Sequence, residues 1–121
     1  MDFLDDSFGG VGYYAQYMDL YEEVEQEIDE LREFEIEAAR GEREYRMLLA
    51  EKTGQLRMGG VPVTVISDLC RGDEAIADAK VQWKSAEAKA KAASHGIFLK
   101  KDKMAMLQEV AKHELYRPSN A

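Results

Sequence analysis

Two histidines, one cysteine and a handful of arginines are the residues of this chain with chemistry to offer. His95 and His113 lie five helical turns apart and cannot share one metal ion. Glu109 and His113 are spaced i,i+4, which places two ligand types on one helix face, but a third and fourth ligand are missing at any metal-site spacing. They read as a solvated Glu–His pair. Cys70 sits between Leu69 and Arg71, and an adjacent cation favours a reactive thiolate. No histidine is near it in sequence, so it reads as a small core thiol. Ser67 and Asp68 read as local caps rather than parts of a triad. Arg71-Gly72-Asp73 spells an integrin-binding tripeptide, yet each of the three already has a helix-end role. A base, a nucleophile and an oxyanion donor cannot be assembled from these parts. The expectation is a protein that is not an enzyme and has no cofactor and no metal.

The cations near the middle of the chain are more promising. Arg57 and Arg71 flank the one segment rich in breakers, Gly59 to Asp73. Backbone N–H groups near Thr64 and Asp73 start new helices there, and helix N-termini favour anions. Arg57, Thr64, Arg71 and Asp73 are therefore the candidate residues for holding a phosphate-bearing ligand or an acidic partner. A second reading stays open, in which Arg71 only caps carbonyls at the end of a short helix.

These residues need elements to position them. No proline interrupts the chain from Tyr14 to Met58, nor from Glu74 to Arg117. The first stretch carries a stripe at Tyr17, Leu20, Val24, Ile28, Leu31, Phe34, Ala38, Gly41, Tyr45 and Leu48. The second carries Ile76, Ala79, Trp83, Ala86, Ala90, Ala93, Ile97, Lys100, Met104, Leu107 and Ala111, in alternating steps of three and four. The second is a heptad pattern; in the first, steps of three and four dominate, with two successive threes at Leu31 and Phe34. Gly59, Gly60 and Pro62 break the first helix, Thr64 is placed to cap a short helix from Val65 to Arg71, and Asp73 to cap the second arm. The fold class is all-α: an antiparallel helical hairpin over residues 13–121, with two long helices and a short capped helix at the bend. Folding the arms about Met58 and Asp73 pairs Tyr45 with Ala86, Leu31 with Lys100 and Leu20 with Ala111, and buries Trp83. Ten acidic residues and one basic one lie between Asp19 and Glu37, against nine basic and four acidic between Lys80 and Arg117. The antiparallel arrangement sets these runs side by side.

Composition narrows the function classes. At 121 residues, 45% hydrophobic and 33% charged, the chain holds one domain with a thin core. A seam rich in alanine, with no disulfide possible, calls for self-association into a helical bundle. A net charge of −8 argues against free nucleic acid as a partner. No apolar run approaches the length of a membrane span, and the acidic start Met1-Asp2-Phe3-Leu4-Asp5-Asp6 is unlike a signal peptide. The lone cysteine fits an intracellular protein. Residues 1–12 read as a flexible acidic and aromatic arm. That arm resembles the acidic, phenylalanine-containing tips of bacterial single-stranded-DNA-binding proteins, although those end in a free carboxylate and Phe8 is internal.

The run from Gly60 to Ala77, with Pro62-Val63-Thr64, Asp68, Arg71-Gly72 and Ala77, resembles a group of small proteins encoded by bacteriophages and prophages of Gram-positive bacteria, near recombination and replication genes. Ala86-Glu87 and Glu114-Leu115-Tyr116 extend the resemblance over about the second half of the chain. It implies a helical hairpin in the cytoplasm of a bacterial host. It carries no catalytic residues. The expected role is an interaction module, a homo-oligomer that docks on a host or phage protein as an accessory of recombination or replication. The alternative is an inhibitor of host antiphage defence, acting by acidic mimicry on a nuclease or by sequestering a small anionic signalling nucleotide at a subunit interface.

Overall fold

The computed structural model describes residues 10–115, and every regular element in that range is helical. Helix α1 runs Gly10–Met58, α2 runs Val63–Arg71 and α3 runs Glu74–Leu115. The two long helices pack together. The expected arm thus lies largely outside the described residues, and helix α1 has begun by Gly10.

The end of α1 shows why the chain turns where it does. Gly60 has φ +79°, a left-handed conformation that glycine adopts without steric cost. Its N–H donates to the Arg57 carbonyl at 3.0 Å, and the Val61 N–H donates to the Leu56 carbonyl at 3.0 Å. This is a Schellman cap, and Leu56 and Val61 both pack on the cluster formed by Ile66, Cys70 and Ile76.

The start of α2 differs from the sequence expectation. Pro62, not Thr64, precedes the first turn, and its carbonyl accepts the N–H groups of Val65 at 2.9 Å and Ile66 at 3.3 Å. Proline's fixed φ suits that boundary, so the helix starts two residues early and Thr64 lies exposed inside its first turn. Gly72 ends α2 by donating to the Asp68 carbonyl at 3.1 Å. Asp73 caps α3 as its sequence suggests: Oδ1 accepts the Ile76 N–H at 3.1 Å, and Oδ2 lies 3.5 Å from Lys52 Nζ on α1.

The chain divides into two compact units. The bend unit is Leu31–Ala92. Its core is Ile66, Cys70 and Ile76, flanked by Tyr45, Leu48 and Leu49 of α1, with Ala79 and Ala86 also buried. Here the long helices run in opposite directions, since Lys52 meets Asp73 while the earlier Gly41 meets the later Trp83. The pairing is displaced from the symmetric fold-back: Gly41, which that fold-back sets opposite Ala90, meets Trp83, about two turns away. Tyr45 stacks on Trp83, ring centroids 5.4 Å apart, instead of lying opposite Ala86. The cause is α2, which needs α1 to continue past Lys52 so that its apolar face has something to cover. Trp83 is half-buried rather than buried, and its Nε1 donates to Glu87 at 3.1 Å.

The terminal unit is Met1–Glu30 with Ala93–Ala121, described for residues 10–30 and 93–115. Val24, Ile97 and Met104 are its buried apolar residues. Lys100 stands on the seam, where its ammonium takes both Glu23 at 3.3 Å and Glu27. The sequence reading put Leu31 there. The displaced pairing brings Glu27 to that position instead, and an apolar seam site becomes an ion pair.

The hydrogen bond from Ile76 and the nearby Lys52 hold the Asp73 carboxyl below its ordinary range. A carboxyl lowered in the folded state adds stability that is complete above its unfolded value, about 3.9, and is lost as the pH falls through the folded value. Asp73→Asn should therefore lower the melting temperature at pH 6, and the gap to the parent protein should close as the pH falls through the folded-state value of the carboxyl. Circular dichroism melts across that range give the answer. A gap that persists in acid would mean the carboxylate charge is not what stabilises this cap.

Candidate functional site

Rows of side chains from three helices converge in the bend unit. On α1 the row is Tyr45, Leu49, Thr53 and Arg57, in steps of four. On α2 it is Val63, Ser67 and Arg71, again in fours, with Ile66 and Cys70 beside them. On α3 it is Ile76, Lys80 and Lys84, with Ala77 and Val81 alongside. Residues spaced by four share a helix face. These rows enclose a pocket of about 670 Å³.

The floor and walls are apolar. Ile66, Ile76 and Cys70 are buried at its base, while Val63 and Val81 remain 69% and 61% exposed. Such exposed β-branched side chains beside a cavity offer surface to a ligand. The rim is cationic: Arg57, Arg71, Lys80 and Lys84 all line it, and among the described residues no carboxylate does. In a chain of net charge −8, this is a local reversal of sign.

The four cations are not equally engaged. Arg71 Nη2 lies 3.0 Å from Ser67 Oγ and 3.5 Å from Asp68 Oδ1, both on its own helix. Lys84 lies 3.3 Å from Glu87 and 4.1 Å from the centre of the Trp83 ring. Both ion pairs are largely exposed, so releasing them costs about 1 kcal/mol or less. Arg57 and Lys80 have no carboxylate partner among the described residues.

The sequence candidates separate accordingly. Arg57 and Arg71 line one pocket. Thr64 and Asp73 do not line it, and Asp73 is committed to the α3 cap and Lys52. No known protein family, curated protein or solved structure matches this chain. Lys80 and Lys84 escaped the sequence reading because they look like part of a solvated basic helix face. The available signal was the four-residue step from Ile76, a seam residue, through both lysines.

Cys70 is 3% exposed, and its Sγ lies 3.7 Å from Thr53 Oγ1. It forms part of the pocket floor. Among the described residues, no three His, Cys, Asp or Glu side chains gather as a metal site would require, and no helix is long and apolar enough to cross a membrane.

Proposed function

We propose that this chain is a non-enzymatic binding module whose pocket beside the bend captures an anionic, partly apolar ligand. The observation that carries the reading is the cationic rim around an apolar cavity, without a carboxylate, in an otherwise acidic chain. The volume is that of a small-molecule site, which typically spans about 300–1,000 Å³. Among the described residues no histidine or carboxylate lines the pocket to act as a base, and its one thiol is buried, which supports binding over catalysis.

The resemblance to phage-encoded proteins gives the module a setting, the cytoplasm of a bacterial host. Two roles compete there. A protein-docking accessory of recombination or replication needs an extended surface. An inhibitor of host defence that sequesters a small anion needs a pocket of opposite charge. The rim favours the second role over the first, and over acidic mimicry. The assembly belongs to the same proposal: the chain forms an antiparallel hairpin that pairs with copies of itself. Phe98 and Met106, 66% and 64% exposed in the terminal unit, support that pairing.

The test uses anilinonaphthalene sulfonate, an anionic aromatic probe, followed by its own fluorescence and by Trp83, the single tryptophan. It should bind the intact protein with about one site per chain. Arg57→Ala combined with Arg71→Ala should abolish binding and leave helicity unchanged, since both side chains are exposed. Full binding by the double variant would show that the pocket is structural and that any partner docks elsewhere.

A further inference from the structure

The chemistry of the pocket narrows the ligand further, on the reading just given. A carboxylate or sulfonate brings one negative charge, but this rim presents more cations than that. Arg57 and Lys80 have no carboxylate partner among the described residues, and Arg71 and Lys84 are held only by exposed pairs. Planar guanidinium groups match phosphate oxygens in a bidentate manner. Tyr45 and Leu49 of α1 and Val81 of α3 add apolar lining to the same cavity. The Thr53 and Ser67 hydroxyls line the same cavity. An aromatic body, a polar middle and a multiply charged end are the parts of a nucleotide.

We propose that the ligand is a free nucleotide carrying at least two phosphate groups, its phosphates held by Arg57, Lys80 and Arg71 and its base against Tyr45, Leu49 and Val81. A free nucleotide is preferred to a nucleic-acid end, because the chain's net charge of −8 repels a long polyanion. Recruitment of Arg71 moves it off Asp68. A nucleotide bound beside Lys84 also perturbs the Trp83 ring that this lysine covers, which gives an optical signal.

The experiment is competition against bound anilinonaphthalene sulfonate, with ATP, GTP, ADP, inorganic pyrophosphate, adenosine and a short single-stranded DNA as separate arms. The nucleotides should displace the probe and quench Trp83, and adenosine should not. Pyrophosphate should be at least tenfold weaker than ADP. Lys80→Ala and Arg57→Ala should each weaken ADP at least tenfold while helicity is retained. Raising the salt concentration should weaken ADP more than the probe, because more charges are screened. If the probe binds but none of the nucleotides displaces it, the nucleotide assignment is overturned and the anion pocket stands. Pyrophosphate as tight as ADP, or DNA tighter than free nucleotide, also overturns it. If the probe itself does not bind, the underlying reading of the pocket fails.

Discussion

Ile76→Ala is expected to cost about 2–5 kcal/mol of folding stability, with the value towards the upper end. Ile76 is 4% exposed and lies where all three helices meet. Alanine there leaves a cavity between Ile66, Cys70 and the Tyr45–Leu49 turn of α1. A thick protein can collapse other layers into such a gap. This unit has little to collapse, since alanines occupy the next two buried positions on α3, Ala79 and Ala86. A urea titration followed by circular dichroism measures the loss. Ile28→Ala is the control, because Ile28 sits on a heptad position yet is 41% exposed, and surface changes usually stay within about 0.5 kcal/mol. Equal costs at the two positions would mean that the cluster at the bend is not the centre of stability.

The second large effect concerns glycines inside helices. Replacing a helical glycine by alanine ordinarily gains about 0.5–1 kcal/mol. At Gly54 and Gly96 nothing lies within 4 Å of where a Cβ would stand, so both alanine variants should show that gain. Gly41 should show the reverse. A Cβ there would lie 2.8 Å from Trp83 Cα and 3.2 Å from Trp83 Cβ. Backbone cannot rotate aside as the tip of a side chain does, so α1 and α3 must separate locally. Overpacking of this kind costs about 1–3 kcal/mol and outweighs the gain in helix propensity. Gly41→Leu should cost more than Gly41→Ala. The sign of the three alanine variants in one denaturation series decides the matter: a stabilised Gly41→Ala protein would show that the helices do not touch there.

Much of the helical layout was legible from the residues. The absence of proline gave the long elements, and Gly60, Pro62, Gly72 and Asp73 placed their ends at Met58 and Glu74. The pairing between arms was not legible. It depends on how far α1 runs past the point opposite Asp73, and so on the bulk of α2, which no periodicity reports. The same gap explains the site. Arg57 and Arg71 could be paired by their closeness to the bend, but Lys80 and Lys84 join them only once the three helices are in register. Thr64 misled because threonine is a favoured cap, whereas the proline two residues earlier had already set the geometry. Lys100 was set opposite Leu31 on the seam, and the shifted pairing turns it into an anchor for two glutamates.

That anchor has a kinetic meaning. The contacts around Leu56, Val61, Ile66 and Ile76 join residues close in sequence, so the chain segments they close are short. The bond from Lys100 to Glu23 joins residues 77 apart. Loop closure becomes harder as the loop grows, and local contacts speed folding. Cap and cluster must therefore assemble first, after which each turn formed shortens the remaining loop for the next. When Lys100 reaches Glu23 the chain between them is already ordered, and a bond too distant to nucleate the fold becomes one of its last to close and first to open.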